Sequence, residues 1–140
     1  MDRYDPLPFG LNLVVATSHP LASAIVGMVL YGSWARGEAT EASDIDILVV
    51  MESTFPIRRE LYTVIDSIEG LDPRISISIA HLPKEEKQPS GLWLEICRDG
   101  VILTDTHGQI AEAMDKIRQL VASGKIIRHE THGQGYWVHA

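Results

Sequence analysis

The sequence predicts an α/β (α+β) domain, a small mixed β-sheet of about four strands with helices packed on one face. Three observations carry that expectation. Ile25–Tyr31 and Ile45–Met51 are apolar, β-branched runs of strand length. Residues 74–82 alternate, with Ile75, Ile77 and Ile79 on one side and Arg74, Ser76, Ser78 and Ala80 on the other, so one face is read as core and the other as open. After Pro56, the apolar residues Leu61, Val64, Ile65 and Ile68 recur at helical spacing, and Gln109–Ala122 repeats that pattern.

Taken in order, residues 11–24 predict one helix or two short ones interrupted at Pro20. Ile25–Tyr31 ends abruptly at Gly32-Ser33, residues 34–37 open a short helix, and residues 38–43 form a polar loop before the second strand. The helix after Pro56 closes at Gly70 with Pro73 beyond it. A charged loop over residues 83–90 leads to a short helix at 92–96 and a short strand at 101–104. From Gly124 the glycines at 133 and 135 lie between two mixed stretches, which read equally as a hairpin or a loose tail.

A chain of 140 residues is expected to make one domain, with a motif-bearing core over residues 25–105 and a helix and tail over 109–140. Hydrophobic residues at 45% and charged residues at 22% are ordinary for a globular protein and exclude fibrous or disordered classes. The apolar runs fall well short of the ~20 residues that span a bilayer, so no membrane association is expected. The start Met1-Asp2-Arg3-Tyr4-Asp5-Pro6 lacks the pattern of a secretory signal. Cys97 is the only cysteine, which excludes an intrachain disulfide and a thiolate zinc cluster; a cytoplasmic location is expected, with the thiol as inert core. A net charge of −7 argues against direct nucleic-acid binding.

The residues with chemistry are concentrated between the first two strands. Gly32-Ser33 falls at the carboxyl end of one strand and Asp44-Ile45-Asp46 at the start of the next. Glycine lets the backbone approach a ligand, and the amides that follow it at a helix start attract an anion. Ser33 adds a hydroxyl donor, and Arg36 follows within reach of a phosphate oxygen. Asp44 and Asp46, two apart on extended chain, project from one face with Cα atoms roughly 6.6 Å apart, while Ile45 and Ile47 point into the core. Paired carboxylates beside a phosphate cradle are oxygen ligands for magnesium or manganese, which share their shell with substrate phosphates. The competing reading makes the two aspartates a solubilised strand end and pairs Arg36 with Glu38 or Glu41.

Gly32-Ser33, ten intervening residues and Asp44-x-Asp46 resemble the signature of the DNA polymerase beta nucleotidyltransferase superfamily. The longer string from Gly32-Ser33-Trp34-Ala35-Arg36-Gly37 through Ser43-Asp44-Ile45-Asp46 is similar to its minimal nucleotidyltransferase branch, as is Glu95-Ile96-Cys97-Arg98-Asp99-Gly100-Val101. The resemblance implies the nucleotidyltransferase fold, with Ser33 contacting the phosphates, beside the Gly32 and Arg36 read above as phosphate-binding, and Asp44 and Asp46 as catalytic residues that hold the metal. It implies transfer of a nucleoside monophosphate, AMP from ATP in the first instance, to a hydroxyl acceptor, and a partner of the helical HEPN toxin type. The chain departs from the family at the third carboxylate, where the following strand offers only Ser76 or Ser78; a hydroxyl there neither balances a second metal nor acts readily as a base. Asp72 and Glu95 are the candidate substitutes, and the alternative function is a nucleotide-binding or partner-binding module without turnover.

Other candidates carry bland readings. Trp34 is a pocket wall or core filler rather than a base-stacking platform. His129, His132 and His139 read as a solvated tail rather than a metal set. His81 and His107 read as strand-end or loop residues, and Lys84-Glu85-Glu86-Lys87 as a solvated loop. Arg118, Lys125 and Arg128 are too few to make a nucleic-acid surface.

Overall fold

The computed structural model describes residues 22–66, 73–84 and 88–139. A 3-10 turn, Ala22–Ala24, leads into β1 (Ile25–Tyr31), followed by α1 (Ser33–Arg36), β2 (Ile45–Met51) and α2 (Arg59–Asp66). Then come β3 (Ile75–His81), α3 (Gly91–Asp99), β4 (Val101–Asp105), α4 (Gln109–Ala122), β5 (Ile126–Thr131) and β6 (Gln134–His139). Most of the helix expected over 11–24 lies outside the described residues, as do Ile68, Gly70 and residues 85–87. Among the described residues no helix is long and apolar enough to cross a membrane.

The main sheet is mixed, in the order β3-β2-β1-β4. Strand β1 runs antiparallel to β2 and β4, and β2 runs parallel to β3. The central strands β1 and β2 are the two most apolar runs, as strands covered on both faces must be. Ile45, Ile47, Val49 and Met51 supply one face, and Leu48 and Val50 the other. Gly27 permits the closest approach in the sheet, since a Cβ there would stand 2.2 Å from the Thr104 carbonyl oxygen and 2.6 Å from Ile110 Cδ1. Irregular pairing on both sides of β1 accompanies it.

Helices α3 and α4 share one face of the sheet, but the expectation that the helices pack on one face does not hold for α1 and α2. Trp93, Leu94, Ile96 and Cys97 of α3 and Ile110, Met114 and Ile117 of α4 pack there on Val26, Val29, Leu48 and Val50. The opposite face is closed by shorter pieces, with Leu61 of α2, Phe55, Ile57, and Trp34 and Ala35 of α1 against Met28, Leu30 and the odd-numbered residues of β2. The face of β3 expected to be open is open only at Ser76. Ser78 is half-buried, and Ala80 and Leu82 pack into the α3–α4 cluster. The reason is that α3 reaches back over the end of β3, where Trp93 Nε1 donates to the His81 carbonyl at 3.1 Å.

Helix α3 is longer than the 92–96 expected. Ser90 caps its start, its hydroxyl accepting from the Trp93 amide at 3.3 Å, and the buried Ile96 and Cys97 carry it to Asp99. Helix α4 matches its expected span, and its first amides are capped from outside by Asp105, whose carboxylate accepts from Ile110 N at 3.1 Å and Ala111 N at 2.9 Å. The undecided tail is a hairpin: β5 pairs antiparallel with β6 through a two-residue turn in which His132 and Gly133 both have positive φ. Ile126 is buried and Trp137 packs beside it on the α3–α4 cluster.

Candidate functional site

The register of the sheet puts the candidate residues at one end. Tyr31 is opposite Asp46 across the antiparallel pair, and Ser76 is opposite Asp46 across the parallel pair. Asp46 therefore lies in the middle of a row, with Tyr31 on one side and Ser76 on the other. Its position in the strand gives it the same face as Leu48 and Val50, just past the cover of α3 and α4. Asp44 precedes the strand and is exposed, while Ile45 and Ile47 are 2% and 0% exposed, as the spacing requires.

Gly32 closes the row from above. With φ at 77° and ψ at −155° it occupies a conformation that other residues rarely adopt. A Cβ at this position would stand 2.3 Å from Asp46 Oδ2. Only the missing side chain lets the Asp46 carboxylate pack this close to the turn. Ser33 begins α1 there, and the amides of Arg36 and Glu38 bond back to the carbonyls of Gly32 and Ser33 at 3.1 and 2.9 Å, which tightens the turn. The loop to Asp44 is tied to the same turn. Trp34 Nε1 donates to the Ser43 carbonyl at 3.3 Å, and Ser43 Oγ accepts from the Thr40 amide at 2.9 Å. Trp34 is accordingly a packed wall residue, with the Arg74 guanidinium 5.6 Å from its ring centroid.

Electrostatics single out Asp46. Burial raises its pKa above the ordinary aspartate value, the neighbouring Asp44 charge raises it further, and Arg36 opposes both. A site that makes its own carboxylate hard to ionise is one where a cation would be welcome. Arg36 pairs with Glu38, as the competing reading had it, and also with Asp99, each at 3.5 Å; Asp99 was not among the candidates read from the sequence. Tyr31 was missed as well. Its hydroxyl lies 2.9 Å from Ser78 Oγ, and burial raises its pKa, the Ser78 hydrogen bond working against that rise.

The two serines are not equivalent. Ser78 is engaged with Tyr31 and faces Leu48 in the register, whereas Ser76 is exposed and faces Asp46. Of the two candidate substitutes for the third carboxylate, only Glu95 is among the described residues, and it does not lie beside them. Asp72 lies outside the described residues, and Glu95 is directed to the hairpin: its Oε1 accepts from Trp137 Nε1 at 3.0 Å and pairs with Arg128 Nε at 3.5 Å. Among the described residues no group of three or more His, Cys, Asp or Glu is placed to hold a metal ion. The donor set of Asp44 and Asp46, with the Gly32 turn packed against Asp46, fits one divalent cation shared with a phosphate better than a closed protein site.

Four of the remaining sequence candidates, His129, His81, Arg118 and Arg128, are held in structural contacts. His129 stacks on Tyr136 across the hairpin at 5.5 Å between centroids, so it is part of an ordered pair and not a loose tail. His81 ends β3 with its ring bonded to the Phe55 carbonyl. Arg118 donates to the Cys97 carbonyl at 2.9 Å, and Arg128 is paired with Glu95 and Glu130. Cys97 is buried, with its thiol pushed up to about 11, chiefly by desolvation, which fits an inert core residue.

Comparison with known proteins adds a family. The model of the nucleotidyltransferase domain matches residues 16–98, more than half of the chain. No curated protein matches. Among solved structures, the chain is similar to a candidate nucleotidyltransferase from Sulfolobus solfataricus, at 21% identity and TM-score 0.45, covering 68% of this chain and 74% of that one. It is similar to a mutant of the toxin-antitoxin MntA-HpeT, at 16% identity and TM-score 0.48, covering 81% and 88%. A toxin-antitoxin solved with AMP-PNP is similar at 19% identity and TM-score 0.39, covering 71% and 80%.

Proposed function

The chain belongs to the nucleotidyltransferase domain family, and from that premise we propose that it transfers a nucleoside monophosphate, AMP from ATP, to a hydroxyl acceptor on a protein. The observation that carries this reading is the shared space of Gly32 and Asp46, where a Cβ would meet the carboxylate at 2.3 Å. A backbone turn held that close to an acidic pair serves a ligand carrying both phosphate and metal.

Asp44 and Asp46 hold a divalent cation, magnesium or manganese, which when bound neutralises the triphosphate and the pyrophosphate that leaves. Ser33 and the first amides of the turn donate to the phosphate oxygens, and the Arg36 guanidinium faces them from one helical turn on. In the transfer, an acceptor oxygen bonds to the α-phosphorus as the bond to the bridging oxygen breaks. Pyrophosphate departs, and the acceptor proton passes to solvent at the open Ser76 end. The motif string supports a helical HEPN-type protein as acceptor and partner, and a cytoplasmic site of action.

Labelled ATP, magnesium and a co-expressed HEPN-type protein test this. Label is expected on the acceptor with the native chain and at least a hundredfold less with Asp44→Asn, an order of magnitude drawn from the loss of other charge-stabilising groups. No label on any acceptor, with native ATP affinity intact, would favour the second reading: a module that binds nucleotide and partner without turnover. One observation supports that alternative, namely that an exposed serine, Ser76, faces Asp46 where a third carboxylate is expected.

A further inference from the structure

Asp99 lies sixty-three positions beyond Arg36, yet the fold brings their side chains together at 3.5 Å. The antiparallel pairing of β1 with β4 sets Leu30 opposite Val101, so the end of α3 abuts the end of β1, where the Gly32 turn begins. Resting on the phosphate-binding reading above, we infer that Asp99 is a positioning residue that holds the Arg36 guanidinium toward the phosphates of a bound nucleotide.

Three features support a clamp over an incidental surface pair. Asp99 is the more enclosed partner, its side chain 21% exposed against 66% for Glu38, so its pairing with Arg36 is less screened by water. Its backbone is anchored. Ile96 and Cys97 just before it are buried, Arg118 Nε donates to the Cys97 carbonyl at 2.9 Å, and a Cβ on Gly100 would stand 2.4 Å from the Ile96 carbonyl oxygen. Arg36, by contrast, sits on a four-residue helix with no buried residue of its own. A long side chain on so short a support loses rotamer freedom when it binds phosphate, and a fixed carboxylate removes part of that loss in advance. Arg36 meets Glu38 through Nε and Asp99 through Nη1, so the two carboxylates engage different nitrogens of the guanidinium.

The sign of the effect separates positioning from plain charge. Asp99 is an anion near an anion site, so as a charge alone it would weaken phosphate binding, and its removal would tighten it. As a clamp its removal weakens binding. Calorimetric titration of magnesium with inorganic triphosphate into the full chain reads this directly. Asp99→Asn is expected to weaken triphosphate about three- to fivefold, the scale of a half-exposed ion pair, with Asp99→Glu restoring most of the loss. In an Arg36→Ala background Asp99→Asn is expected to cause no further weakening. Unchanged or tighter binding in Asp99→Asn, or a weakening that persists without Arg36, would overturn the assignment. A fall in melting temperature with affinity unchanged would overturn it too, in favour of a purely structural pair. Native chain that binds no triphosphate at all would instead defeat the nucleotide reading on which the inference rests.

Discussion

Gly32 and Asp46 show how much depends on single atoms. Gly32→Ala would place a methyl 2.3 Å from Asp46 Oδ2 at a φ of 77°. The expected stability cost is about 1–3 kcal/mol from this glycine-only backbone conformation alone, read by urea denaturation, together with a loss of magnesium-dependent ATP affinity larger than that cost explains. Asp46 gives the pH prediction. Its pKa is raised by burial first and by Asp44 second, so the folded state binds the proton more tightly than the unfolded chain does. Stability from this group is therefore highest below the ordinary aspartate value and falls as pH rises through the raised one. Asp46→Asn should raise the melting temperature at neutral pH and change it little at pH below the ordinary aspartate range; a variant less stable at neutral pH would contradict the sign. The aspartates and the turn were legible in the sequence because their chemistry is carried by spacing along one stretch. Asp99 and Tyr31 were not, since each reaches the site only through cross-strand register.

Elements defined by burial were legible, and those defined by one neighbour were not. Strands β1 and β2 and helix α4 keep their expected bounds because their apolar periods are unbroken. The hairpin was ambiguous because its turn puts His132, not Asn or Asp, at a positive φ of 52° beside Gly133, and the usual turn signal is therefore weak. The face of β3 was misread because a serine, a serine and an alanine carry no apolar signal, although α3 covers the alanine end. Two element-level outcomes follow from the bonds now visible. Asp105→Ala removes both acceptors for the first amides of α4 and is expected to cost about 1–2 kcal/mol, measured by urea denaturation. Trp34→Phe keeps the packing but deletes the bond to the Ser43 carbonyl. It should lower magnesium-dependent ATP affinity, because the loop carrying Asp44 is then tied less firmly, while melting temperature falls only slightly.

At the scale of the molecule, a chain with a formal charge of −7 is proposed to attract a more highly charged anion. Long-range attraction cannot do this, since the field of the whole chain opposes ATP and polynucleotide alike. The arginine assigned to the site does not reverse that sign, because Arg36 is compensated by Glu38 and Asp99. Affinity must then come from the local pocket and from a divalent ion carried in with the phosphates. This makes the salt response diagnostic. A surface that binds phosphate through free lysines and arginines loses affinity steeply as monovalent salt rises. Here added potassium chloride screens a repulsion, so ATP affinity at fixed magnesium should stay level or increase modestly, and chelation of the divalent ion should abolish it. Single-stranded oligonucleotide should show no comparable binding under either condition. A steep loss of ATP affinity with salt, undiminished in Asp44→Asn, would mean that an uncompensated basic surface does the binding and that the acidic pair does not.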